Sequence, residues 1–114
     1  MNKLHKELNE AILAFTMGDE LKAEEALLGI TAKFPDSLEA WRALAEVYLA
    51  KGTLEQAEKA CRKSLSLDAD DLASGVSLSR ILVRIGDKEG AEQATAHARV
   101  LGWKEELAQG DSPI

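Results

Sequence analysis

The stretch Gly52-Thr53-Leu54-Glu55-Gln56-Ala57-Glu58-Lys59-Ala60 decides the fold, because the chain writes it three times. The earlier copy is Gly18-Asp19-Glu20-Leu21-Lys22-Ala23-Glu24-Glu25-Ala26. The later one is Gly86-Asp87-Lys88-Glu89-Gly90-Ala91-Glu92-Gln93-Ala94. The copies align without a gap at a spacing of 34 residues and share the pattern G-[DT]-x-x-x-A-E-x-A. Leu4, Leu38 and Leu72 keep the same period, as do Asp36 and Asp70. A fixed period of this length is the mark of a stacked repeat architecture.

Each motif position has a mechanical reason. Glycine accepts the left-handed conformation at a helix C-terminus, so Gly18, Gly52 and Gly86 are expected helix stops. Asp19, Thr53 and Asp87 follow as N-caps, and Thr53 with Gln56 has the spacing of a capping box. Ala23, Ala57 and Ala91 are small where two helices approach; a larger side chain there would overpack the contact at a cost of roughly 1–3 kcal/mol. Pro35-Asp36 is expected to stop one helix and cap the next, with Glu39 completing a second capping box and Asp70 repeating the cap. Six helices follow, at about 3–17, 20–34, 37–51, 54–67, 71–85 and 88–101. Apolar residues recur at helical spacing within them, as in Trp41, Leu44, Ala45 and Tyr48.

Composition agrees. Strong helix formers dominate and only two prolines occur. A net charge of −6 with 4% aromatic residues argues against nucleic acid as a partner. The one cysteine, Cys61, excludes an intrachain disulfide framework. The first ten residues mix His5, Lys6, Glu7 and Glu10 among leucines and read as neither a signal peptide nor a membrane span. The expectation is a soluble, cytoplasmic protein with no membrane partner.

These residues resemble the tetratricopeptide repeat family. The middle unit carries the resemblance best, with Trp41, Leu44, Ala45, Tyr48, Gly52 and Ala57 at signature positions, Cys61 in place of the usual phenylalanine and Ala69 in place of the usual proline. The first unit keeps Ala11, Gly18, Ala23 and Pro35 but has Glu7 and Glu10 where apolar residues are usual. The third keeps Leu78, Gly86 and Ala91 but has Gly75 in place of the tryptophan. The resemblance implies an all-α, right-handed superhelical stack of three helix-turn-helix units. The units run over about 4–37, 38–71 and 72–105 within one domain, 1–109, followed by a flexible tail, 110–114. Glu7 and Glu10 are expected to give the first repeat a polar outer face. A short seventh helix is expected to cap the last repeat through Trp103 and Leu107.

In this family the first helix of each pair lines a concave groove. Transferred by position, the lining is His5, Leu8, Asn9, Ile12, Phe15 and Thr16; then Glu39, Arg42, Ala43, Glu46, Leu49 and Ala50; then Ala73, Val76, Ser77, Arg80, Val83 and Arg84. Some members grip a chaperone's C-terminal carboxylate through Lys, Asn and Arg at five groove positions. Those positions here hold Leu8, Ile12, Ala43, Ala73 and Ser77, which supply neither the charge nor the amide. The expected partner-binding groove is instead Leu8, Ile12, Phe15, Arg42, Leu49, Val76, Arg80, Val83 and Arg84. Its apolar members suit the apolar face of a partner helix or peptide, and burying about 300 Å2 of such surface would contribute roughly 7 kcal/mol before association costs. The competing explanation is that they pack between repeats. Arg42, Arg80 and Arg84 either hold an acidic group or pair internally, with Glu46 one turn from Arg42.

The remaining candidates point to no chemistry. His5, His97 and Cys61 have no ligand-like spacing, so no metal is expected. Cys61 reads as a buried thiol, and Glu24-Glu25 and Glu105-Glu106 as solvated surface. Glu55 with Lys59 and Glu58 with Arg62 read as surface pairs. With no serine–histidine–acid set, phosphate loop or cofactor fingerprint, neither a catalytic residue nor a cofactor is assigned. The expected function is a protein-interaction adaptor. The alternative is a scaffold that self-associates through the repeat ends or the groove.

Overall fold

The three motif glycines all take positive φ, 88° at Gly18, 83° at Gly52 and 94° at Gly86. Each closes the same double hydrogen bond. Asp19 N–H donates to Ala14 O at 2.9 Å, Thr53 N–H to Tyr48 O at 3.0 Å and Asp87 N–H to Leu82 O at 3.0 Å, while each glycine N–H reaches a carbonyl three residues back. This termination satisfies carbonyls left over at a helix end and needs a residue without a Cβ penalty.

A computed structural model describes residues 2–109; the tail expected at 110–114 lies outside them. The described residues form six helices and no strand: α1 (Lys3–Thr16), α2 (Glu20–Lys33), α3 (Leu38–Lys51), α4 (Leu54–Leu67), α5 (Leu72–Ile85) and α6 (Lys88–Gln109). Each of the first five begins and ends within one residue of its expected bounds. None of the six is long and apolar enough to cross a membrane.

The helix starts depart from expectation in detail. Asp19 and Asp87 cap as expected, accepting from Lys22 N–H at 3.1 Å and Gly90 N–H at 2.9 Å. The cap of α3 is Ser37, not Asp36, and the cap of α5 is Asp71, not Asp70; they accept from Ala40 and Ser74 N–H. In both loops two competent capping residues stand side by side, and the chain uses the second. Thr53 makes no side-chain cap; its hydroxyl donates to Tyr48 O at 3.2 Å, so the expected capping box does not form.

The helices pair as α1 with α2, α3 with α4 and α5 with α6, and each pair packs on the next. Ala23 and Ala57 are fully buried and Ala91 nearly so, which is the close approach that the motif alanines permit. Leu27, Ile30, Leu44, Val47, Ile81, Leu82 and Leu101 are the largest apolar side chains of the core. Glu24, expected in solvent, is half-buried in an ion pair with Lys51 across the joint between α2 and α3. That hydrogen bond raises the Lys51 pKa.

One slot is filled differently in each unit. Trp41 stands in the middle copy, its Nε1 donating to Pro35 O at 2.8 Å and its ring under Lys63 Nζ. In the first copy Glu7 fills the position and pairs with Lys33 at 3.1 Å. Glu7 and Glu10 line the same open hollow between α1 and α2. In the third copy Gly75 leaves the space, and Leu101 fills it; a Cβ on Gly75 would lie 3.2 Å from Leu101 Cδ1. Glu10, exposed as expected, stands where Leu44 and Leu78 are buried in the other units, so it does give the first unit a polar outer face.

The expected separate seventh helix is absent: α6 continues unbroken to Gln109. Gly102 does not adopt positive φ, so it stays in the helix at a cost of about 1 kcal/mol relative to alanine. Trp103 and Leu107 are 72% and 80% exposed, so they do not cover the last repeat.

Candidate functional site

The first helices of the three pairs, α1, α3 and α5, lie side by side, α3 touching both of the others. Two adjoining depressions run along them and share Arg42 and Glu46 on α3. The first is walled by His5, Leu8, Asn9, Ile12 and Phe15 of α1 and by Glu39 and Ala43 of α3. The second is walled by Asp71, Leu72, Ala73, Val76, Ser77 and Arg80, with Glu105 from the extension of α6.

The nine expected groove residues separate on inspection. Ile12 and Val76 present 41% and 43% of their surface, and Phe15 is half-buried. Leu8 and Leu49 are 3% exposed, so they support the groove from within the core. Val83 is open, but it lines a separate hollow between α5 and α6 at the end of the array, together with Lys88, Ala91, Thr95 and Arg99. The structure therefore gathers Ile12, Phe15, Arg42, Val76 and Arg80 along one face and sets Val83 outside it.

Each groove arginine has a partner inside the chain. Arg42 Nη1 donates to Asp71 Oδ1 at 2.7 Å. Arg80 Nη1 lies 3.5 Å from Glu46 Oε2, an oxygen that also accepts from Ser77 Oγ at 2.5 Å. Arg84 Nη1 donates to Leu49 O at 3.1 Å, at the C-terminal end of α3, where the helix dipole favours a cation. The internal pairing expected of these arginines is present, with Glu46 opposite Arg80 and Asp71, rather than Glu46, opposite Arg42. Asp71 was invisible as a groove residue because its role as the α5 cap depends on which of two neighbouring aspartates is chosen.

Asp71 joins the groove to the core. Its Oδ2 accepts from Ser74 N–H at 3.0 Å and Ser74 Oγ at 2.5 Å. The Ser74 hydroxyl meets that of Ser64 at 2.7 Å, and Ser74 O accepts from Cys61 Sγ at 3.1 Å. Burial works to raise the Asp71 pKa, but the bonds from Ser74 and Arg42 outweigh it and hold the carboxyl below its ordinary value. Burial, and then the negative charge of Glu46, push the Cys61 thiol up to about 12, so it is a weak donor rather than a nucleophile. Among the described residues every buried side-chain polar atom has a partner, and such a satisfied network fixes one arrangement of a joint.

No cluster of three or more His, Cys, Asp or Glu able to hold a metal occurs among the described residues. His97 Nε2 lies 3.2 Å from Ala69 O, and Lys104 Nζ 3.3 Å from Asp70 Oδ1; both contacts tie α6 to the loop between α4 and α5. On the surface, Glu58 pairs with Arg62 at 2.8 Å.

Known structures share this architecture. The second TPR domain of Spaghetti (RPAP3), solved bound to an HSP90 peptide, superposes with a TM-score of 0.84 at 20% identity, over 88% of this chain and 93% of that one. The type III secretion translocator chaperone SycD of Yersinia enterocolitica gives 0.85 at 15% identity, over 96% and 86%. The O-GlcNAc transferase of Thermobaculum terrenum gives 0.80 at 26% identity over 86% of this chain, which spans only 19% of the enzyme. No curated protein sequence matches the chain. A family model of the tetratricopeptide repeat matches residues 8–72, more than half of the sequence, and the chain belongs to that family.

Proposed function

We propose that this protein is an interaction module that docks a partner helix or extended peptide along the concave face of α1, α3 and α5. The observation that carries this reading is that exposed Ile12 and half-buried Phe15 line one depression and exposed Val76 the adjoining one, beside charged side chains already held in place. A partner's apolar side chains would replace water over Ile12, Phe15 and Val76. Arg80, whose side chain is 55% exposed, keeps donors free for an acidic group on the same partner. The internal ion pairs set these donors in advance, which lowers the ordering cost of binding.

A structural neighbour, the second TPR domain of Spaghetti (RPAP3), was solved with an HSP90 peptide bound, which supports a peptide as the class of ligand. A chaperone tail gripped by its carboxylate is not the proposed ligand, because Leu8, Ile12, Ala43, Ala73 and Ser77 stand at the clamp positions. The test is affinity capture from the native host with wild-type protein and with Ile12→Glu/Phe15→Glu. The double variant is expected to keep its helical circular dichroism and lose the captured partner. Equal capture by both would reject the groove as the site.

A further inference from the structure

We propose that the exposed face of α6 carrying Val100, Trp103 and Leu107 pairs with α6 of a second copy of this chain, antiparallel and about a two-fold axis. Ala96, Val100, Trp103 and Leu107 follow one another at intervals of four, three and four residues. At 3.6 residues per turn they fall within about 60° of the helix circumference, and this is the seam of a paired helix. Val100, Trp103 and Leu107 are 49%, 72% and 80% exposed. Leu101 is the last side chain that α6 buries. The two turns beyond it meet the array through Lys104 and Glu105 and leave Trp103 and Leu107 in solvent.

The flanking charges select the occupant and its direction. Arg99 and Glu106 lie on the same flank of the seam one heptad apart, both exposed, and neither has an ion-pair partner among the described residues. In an antiparallel pair Arg99 of each copy faces Glu106 of the other, so symmetry makes the contact twice. Val100 then meets Trp103, and Ala96 meets Leu107, placing small against large in both layers. A parallel pair would set Arg99 against Lys104 and stack Trp103 on Trp103. Lys104, on the opposite flank, is already engaged with Asp70 of its own chain. The face is thus complementary to itself in one direction only. The apolar surface offered is on the order of 400 Å2 per copy, which with the charged rim approaches the lower end of specific interfaces. The pair therefore forms and dissociates reversibly.

This inference concerns the exposed face of α6 and is independent of the groove. Sedimentation equilibrium from micromolar to millimolar protein should show the mass rising from one chain to two. Trp103→Glu/Leu107→Glu should stay a single chain with unchanged helical circular dichroism, since both side chains lie in solvent. Ile12→Glu/Phe15→Glu should dimerise like the wild type. Arg99→Glu and Glu106→Arg should each weaken self-association by roughly tenfold, and mixing the two variants should give a heterodimer at wild-type strength. A wild type that stays monomeric would overturn the proposal. So would a dimer that survives Trp103→Glu/Leu107→Glu or is lost in Ile12→Glu/Phe15→Glu, or charge variants that fail to recombine.

Discussion

Helices α1 and α5 hold equivalent places two repeat lengths apart, yet they are anchored by different physics. α1 buries Leu8, Ala11 and Ala14; α5 buries Ser74, Gly75, Ser77, Leu78, Ile81 and Leu82. The slot beside α1 is closed by the exposed Glu7–Lys33 pair, and the matching slot beside α5 by Leu101 lying over Gly75. The start of α1 is capped by Asn2 alone at 3.3 Å, whereas that of α5 is capped by an aspartate also bound to Ser74 and Arg42. Equal backbones therefore do not imply equal stability. Both helices belong to terminal units, but α5 packs against α4 and α6 and touches α3, whereas α1 has only α2 and the edge of α3.

Substitutions at matched positions sharpen this contrast. Leu101→Ala should be the most damaging, costing about 2–5 kcal/mol for a buried leucine, read from urea unfolding. If it cost no more than a surface change, the Gly75 slot would not be the anchor of the third unit. Asp71→Ala should cost roughly 2–3 kcal/mol through loss of a cap and of charged hydrogen bonds, against about 1 kcal/mol for Asn2→Ala. Breaking the Glu7–Lys33 pair should change stability least, by about 0–1 kcal/mol.

Acidity probes the same difference. The Asp71 carboxyl titrates below its ordinary value in the folded chain, so its contribution to stability is complete above an unfolded-state pKa of about 3.9. That contribution is lost as pH falls through the lower folded value, because the unfolded chain then binds the proton more readily. Asp71→Asn should flatten this part of the acid unfolding curve, and an unchanged curve would place the acid sensitivity elsewhere. Cys61, buried and raised to about 12, should resist alkylation in native protein and react once urea unfolds the chain.

Much of this was legible before the structure. Three glycines at a common period announce three helix ends, because positive φ is a local demand that local sequence meets. The choice between Asp36 and Ser37, or Asp70 and Asp71, was not legible, since either residue can cap and the surrounding packing decides. Leu49 lines neither depression and Leu8 lines the first only as a nearly buried floor; a helical period does not separate the floor of a groove from the core beneath it. The continuation of α6 to Gln109 was not legible, since the expected cap on the last repeat by Trp103 and Leu107 needed a break that the backbone does not make. Arg42 found Asp71 across a joint, a contact no spacing within one helix can announce.

Native-state hydrogen exchange resolved by helix tests the central contrast most directly. The α1 amides should exchange through local opening, with protection well below that of α3 and α5, and with little dependence on low urea. If α1 and α5 exchanged together, and only through global unfolding, the unequal anchoring of equivalent helices would be contradicted.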